Sequence, residues 1–305
     1  LSLHDALPIY LRHEDLLPPS AIFILLSHAA EQRDILRASE HAPDAFIVWP
    51  LKPNALAARL YKLFEHREQF NEVHEAMKKK DWHNAVALCA NLCKEDNPYY
   101  RDAQKLNGQL LLLSSNTDGA IEFYESVLST HDAGWAKLGL ARGLQAKGRH
   151  EEAEAILDKL ITNNRFMMAA YDALAEVRLT HEGASAAVPV LLSAMEVSPG
   201  TITRIRTLSQ HALESGDQDL AEQTTRQLID EYQSSPLQES GDYLLVANAL
   251  TSNGKAQEAL NLIGAAVDCQ FARIQAIGAQ GHEVLIHKGF IQVIKMLRRL
   301  GKRHR

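Results

Sequence analysis

A chain of 305 residues with 46% hydrophobic and 6% aromatic residues has room for two domains and reads as a soluble protein rich in Ala and Leu, a composition that favours helices. Its net charge of −6, with acidic and basic residues interleaved, supplies no overall positive field of the kind a nucleic-acid binder carries. The longest apolar runs, AIFILL and LLLL, are too short to span a membrane, and three cysteines (Cys89, Cys93, Cys269) are too few for a disulfide framework and suit a reducing cytosol.

Residues 1–9, LSLHDALPI, lack the basic start and apolar core of a secretory leader. They resemble a translated sequencing adapter, which would make them non-native and Tyr10 or a near neighbour the first genuine residue; a native tail is the other reading. Residues 10–66 then alternate. A continuous apolar run at 21–26 ends in Ser27, a polar helix is predicted over 30–41, a second run at 45–48 ends in Trp49-Pro50, and an amphipathic helix begins at Pro53-Asn54. Continuous apolar strands alternating with helices predict a parallel sheet covered on both faces. No Gly or Pro interrupts 54–80, so the helix there runs on or breaks once near residues 65–67.

From residue 67 the chain repeats. Alanines recur at Ala85, Ala120, Ala153, Ala187, Ala221 and Ala259, at intervals of 35, 33, 34, 34 and 38. Four and seven residues after each come mostly apolar side chains: Cys89 and Leu92, Tyr124 and Val127, Leu157 and Leu160, Leu191 and Ala194, Thr225 and Leu228, Ile263 and Ala266. A small residue lies twelve before the anchor in most units (Gly108, Ala141, Ala175, Ser209, Ala247), and a glycine five before it at Gly148, Gly216 and Gly254. Small residues let two helices approach closely, and the glycine turns the chain between them. The units are expected at about 67–98, 101–132, 134–166, 168–200, 202–234 and 240–267. Beyond 267 the period fails, but 283–300 reads as one more amphipathic helix, so 268–305 is expected to be a helical segment from a truncated further repeat.

This pattern resembles the tetratricopeptide repeat family, with Tyr171, Leu174, Ala175, Ala187, Leu191, Ala194 and Pro199 at its large, small and proline positions. The resemblance implies a mainly α solenoid of about six helix pairs whose concave side, lined by the first helix of each pair, binds another protein or peptide. Its groove positions fall on Lys105, Gln109, Arg142, Gln145, Asp172, Glu176, Arg206, Gln210 and Asn248. These are mixed in charge and lack the Lys/Asn/Arg set that clamps a C-terminal carboxylate in chaperone-binding members. Reversing the charges at Arg142, Asp172 and Arg206 together is expected to weaken binding without unfolding the array.

Residues 20–67 resemble the last part of a response-regulator receiver domain, an α/β flavodoxin-like fold. Ser27 falls on its hydroxyl position, Trp49 where the family has a lysine, and Pro50 on a proline that is cis in the family. The acidic pair and phosphoacceptor belong to the half that does not appear here, so no phosphoacceptor is assigned; a complete receiver would imply a histidine kinase and Mg2+.

No catalytic motif is found: GxxxxGK[ST], GxGxxG and GxSxG do not occur. Cys89 and Cys93, one turn apart, read as core thiols, and His282 and His287 are one residue too far apart for HExxH, so no metal site and no cofactor are expected. The basic tail 288–305 reads as a solvated helix end. The expected protein is therefore a non-enzymatic, bacterial-type cytoplasmic adaptor of two-component signalling that binds a partner protein, with no nucleic-acid or membrane partner; the alternative is a scaffold or assembly factor with no phosphorelay role.

Overall fold

The computed structural model describes residues 21–28, 43–94, 96–232 and 238–264. The expected helix at 30–41, segment 1–9 and segment 268–305 lie outside these residues. Two strands come first, β1 (Ile24–Ser27) and β2 (Ala45–Val48), paired in parallel from Ile24↔Ala45 to Ser27↔Val48. The first strand begins three residues later than its apolar run. Phe23 and Ile47 are buried while Leu26 and Val48 are exposed. The Trp49–Pro50 peptide bond is cis.

Helix α1 (Pro53–Gln69) starts on a proline, whose missing N–H costs nothing in the first turn. Near its end Arg67 reaches back to the strands, donating to the Ala21 carbonyl at 2.8 Å and to Asp44 Oδ1 at 3.0 Å, while Asp44 Oδ2 accepts from the Phe23 N–H at 2.7 Å. Helix α2 (Asn71–Lys78) follows at once. The break falls at Phe70 (φ −98°, ψ 5°), three residues beyond the predicted window. Its cause is tertiary. Phe70 is only 2% exposed, lies 4.7 Å from the His66 ring and joins Val73, Ala76, Ala85 and Cys89 in one core. Helix α1, expected to be amphipathic, buries no residue fully; Tyr61 and Phe64 stay 71% and 62% exposed. The chain bends where burial begins.

Antiparallel helix pairs then occupy each period. In one compact unit, which ends at Pro199, α2 pairs with α3 (Trp82–Leu92), α4 (Tyr100–Leu113) with α5 (Thr117–Thr130), α6 (Gly134–Ala146) with α7 (His150–Asn163), and α8 (Met168–Glu182) with α9 (Ala184–Val197). In the other, from Gly200 onward, α10 (Ile202–Ser215) pairs with α11 (Gln218–Tyr232), and α12 (Ser240–Ser252) precedes helical residues 256–264. All six anchor alanines are completely buried, and the side chains four residues on, from Cys89 to Ile263, are at most 2% exposed. The small residues at Gly108, Ala141, Ala175, Ser209 and Ala247 are buried as well.

Outside the α8/α9 pair, where Gly183 (φ 92°, ψ −179°) makes a different turn, the turn inside a pair repeats more faithfully than its glycine. Five residues before the anchor the backbone is left-handed at Gly148 (φ 75°) and Gly216 (φ 81°), as expected, but also at Lys80 (φ 58°) and Ser115 (φ 61°). The geometry is a property of the repeat, and two units hold it with residues that carry a Cβ, at a cost of roughly 1 kcal/mol each. Ser115→Gly is therefore expected to stabilise the protein by about 0.5–1 kcal/mol, read as a higher urea midpoint; an unchanged or lower midpoint would show that the turn is not strained.

In the unit from Gly200 the pairs are joined by polar contacts. Glu222 on α11 accepts from Lys255 Nζ at 2.6 Å, from Asn253 at 2.6 Å and from Arg226 at 2.9 Å, and the Lys255 and Asn253 bonds hold its carboxyl down at about 2. The Tyr232 hydroxyl donates to the Gly200 carbonyl.

Candidate functional site

An array of helix pairs consumes its small and large apolar residues in the contact between partners, leaving polar stripes on the outer faces. On α4 the exposed stripe is Asp102, Lys105, Gln109 and Leu113; on α8 it is Ala169, Asp172, Glu176 and Thr180. Both follow a spacing of three then four residues, one face of a helix. Helix α6 lies between them and packs against both, with Arg142 exposed and Gln145 half-buried. The six positions singled out in this unit therefore sit on consecutive first helices, outside the core. At these six positions the side chains are cationic or amide on α4 and α6 and anionic on α8, with Asp102 adding an acidic group to the α4 stripe. Lys105 lies 3.5 Å from Asp102, an exposed pair of small energetic weight.

Three candidates belong to the unit from Gly200. Gln210 and Asn248 are exposed, Gln210 donating to Glu214 at 3.0 Å. Arg206 corrects the expectation that its charge could be reversed harmlessly. Its guanidinium grips Asp242 with two nitrogens, Nη2 at 3.0 Å from Oδ2, and Nη1 is 2.9 Å from Glu239. Asp242 is completely buried and also accepts from the Glu239 N–H at 2.8 Å, capping α12. Arg206 thus holds the start of α12, and its pairing partner, 36 residues away in sequence, gives no local signal.

At the strand ends Ser27, Trp49 and Pro50 come together: the Trp49 N–H donates to the Ser27 carbonyl at 2.7 Å, with Trp49 and Pro50 exposed and Ser27 half-buried. Cys89 and Cys93 are core thiols. Cys89 donates to the Ala103 carbonyl at 3.3 Å and Cys93 to the Cys89 carbonyl at 3.4 Å; the contact with Cys93, together with burial, pushes the Cys89 thiol up. His282 and His287 lie outside the described residues. A group that sequence inspection missed is Glu154, His181 and Glu182, brought together from α7 and α8. With His181 lying 27 positions after Glu154, it forms no motif.

The tetratricopeptide repeat family model matches residues 111–176, from the end of α4 into α8. This match lies outside the strands, so the receiver reading rests on the sequence resemblance alone. No curated protein matches the chain at a significant level. Among solved structures, the C-terminal part of a TPR repeat-containing protein from Cytophaga hutchinsonii is similar at 13% identity and a TM-score of 0.51, over 63% of this chain and 77% of that one. A tetratricopeptide repeat protein from Parabacteroides merdae matches at 19% identity and TM-score 0.47, over 66% and 78%. YrrB, described as a TPR protein with an unusual peptide-binding site, matches at 17% and 0.44, over 59% and 91%. The first likeness establishes a tetratricopeptide-type fold. No helix among the described residues is long and apolar enough to cross a membrane.

Proposed function

We propose that the chain is a protein-binding scaffold that acts by association, holding a peptide or protein segment against the face formed by α4, α6 and α8. The observation that carries this reading is the ordered polar surface on three consecutive first helices, basic at Lys105 and Arg142 and acidic at Asp172 and Glu176. Complementary charge along such a face selects the orientation and sequence of an extended ligand more than it adds raw affinity. The expected ligand is bipolar, its acidic part facing α4 and α6 and its basic part facing α8. Gln109 and Gln145 supply hydrogen bonds between the charged groups. In the unit from Gly200, Gln210 and Asn248 are proposed as binding positions in their own right, whereas Arg206 is kept for structure.

The test is selection of peptides from a random 12-residue display library by the full chain. Peptides enriched by the parent should bind the variant Arg142→Glu with Asp172→Lys at least tenfold more weakly, while its unfolding midpoint stays within that of two surface changes, about 0.5 kcal/mol each. Equal affinity in the variant would move the binding face elsewhere.

A second reading, in which the scaffold is a two-component adaptor, draws on the parallel β1–β2 pair and on Ser27 and Trp49-Pro50 meeting at its end. It requires an acidic pair and an aspartate encoded upstream of the Tyr10 codon. A genomic sequence without them would leave the scaffold reading alone.

A further inference from the structure

The edge of the α7/α8 pair carries donor groups that the proposed binding face does not use. Helix α8 ends in His181 and Glu182, and Glu154 stands one turn into α7. His181 Nδ1 lies 3.3 Å from Glu154 Oε1 and 4.0 Å from Glu182 Oε1, and one donor atom from each residue lies within 4.8 Å of the others. A tetrahedral ion bonded at about 2.1 Å holds its ligands about 3.4 Å apart. One edge already has that length, and rotation of the exposed His181 and Glu182 side chains closes the remaining two.

An ordinary His–Glu ion pair would use one carboxylate. Here two converge on one imidazole nitrogen, at the helix C-terminus whose unsatisfied carbonyls add further negative potential. Arg178 shares the Glu154 carboxylate from its other side, 3.6 Å from Oε2 and 3.8 Å from Asp158, and leaves Oε1 facing His181. A second histidine lies beside the group. The His150 ring is stacked on His181 with centroids 5.3 Å apart and planes inclined by 19°, and its Nδ1 is buried with no hydrogen-bond partner among the described residues. Near-parallel stacking keeps His150 from sharing an in-plane ion with His181 and packs one face of the His181 ring.

The geometry points to a three-ligand site for a divalent transition-metal ion of the zinc class, held by His181 Nδ1, Glu154 Oε1 and Glu182 Oε1, with a fourth position open. The mixed imidazole and carboxylate set, small in number, suits zinc and its neighbours and not Mg2+ or Ca2+, which take six or more oxygens. The ion ties the last turn of α8 to α7, and its open position accepts water or an incoming carboxylate or imidazole.

The test is calorimetric titration of the full chain with ZnCl2 and, separately, MgCl2. Zinc should bind and magnesium should not; His181→Ala and Glu182→Gln should each remove one equivalent or raise its Kd at least tenfold. His83→Ala, at an exposed histidine of α3, should leave the titration unchanged. His181 and Glu182 are exposed, so both variants should keep the parent circular dichroism without metal. Zinc binding that His181→Ala leaves within twofold of the parent, an equal response to magnesium, or no zinc binding at 100 µM-class concentrations (on the order of 10⁻⁴ M, far above a built site's Kd) would overturn the assignment.

Discussion

Tyr124→Ala is expected to cost about 3–5 kcal/mol of unfolding free energy, the largest loss from any single truncation in the array. Tyr124 is the side chain four residues after its anchor, and it is 2% exposed. Its ring is clamped between two helices other than its own. A Cβ on Gly108 of α4 would lie 2.6 Å from the ring, and a Cβ on Gly139 of α6 would lie well inside contact distance of it. Trp135 meets it edge-on at 6.2 Å and Phe123 at 5.7 Å. The interior around it is closed on both sides, so truncation leaves a cavity that rigid helices cannot fill. The converse follows from the same contact. Gly139→Ala in the parent should cost about 1–3 kcal/mol by overpacking, yet little in the Tyr124→Ala background, where the ring is gone. Urea unfolding of the four proteins gives the coupling directly. Additive losses would mean that the ring and the glycine do not meet.

Arg206→Ala should cost about 3 kcal/mol, because it leaves the carboxylate of Asp242 buried at 0% exposure with its cationic partner removed. The Arg206 side chain is itself 21% exposed, so the pair is only partly shielded from water, and the expected loss sits at the low end for a broken buried pair. Asp242 would keep the Glu239 N–H, which caps the helix without supplying charge. Removing both partners with Arg206→Leu and Asp242→Leu should lose less than Arg206→Ala alone, since no uncompensated charge remains. A loss below about 0.5 kcal/mol for Arg206→Ala would identify an ordinary surface pair.

The periodic part of the fold was legible because each period repeats one steric requirement. Ala85, Ala120, Ala153, Ala187, Ala221 and Ala259 all occupy helix crossings with no exposed surface, as their spacing implies. Contacts that do not repeat were not legible. The bend at Phe70 arises from burial of one ring in a stretch that has no Gly or Pro, and left-handed turns at Lys80 and Ser115 carry no glycine to announce them. Arg206 with Asp242, and Glu154 with His181, are joined across repeats by charges whose sequence separation matches no motif. Of the candidate binding positions, all taken from the family resemblance, those on α4, α6 and α8 lie on exposed or half-buried helix faces. The exception, Arg206, is polar for a reason internal to the fold.

The Tyr124 clamp also bears on how such an array can grow or shrink. Repeat proteins change length by duplicating or deleting whole units, which works when every junction is interchangeable. The junction between α4/α5 and α6/α7 is not. It needs a glycine on each side of one large ring, and a unit presenting Ala141, Ala175 or Ala247 at the position of Gly108 would push a methyl group into it. A copy inserted after Thr130, or a deletion that joined α5 to α8, would lose Gly139 and with it the room for Tyr124. These two units are expected to be inherited together, as a paired module whose glycines and tyrosine change only in concert.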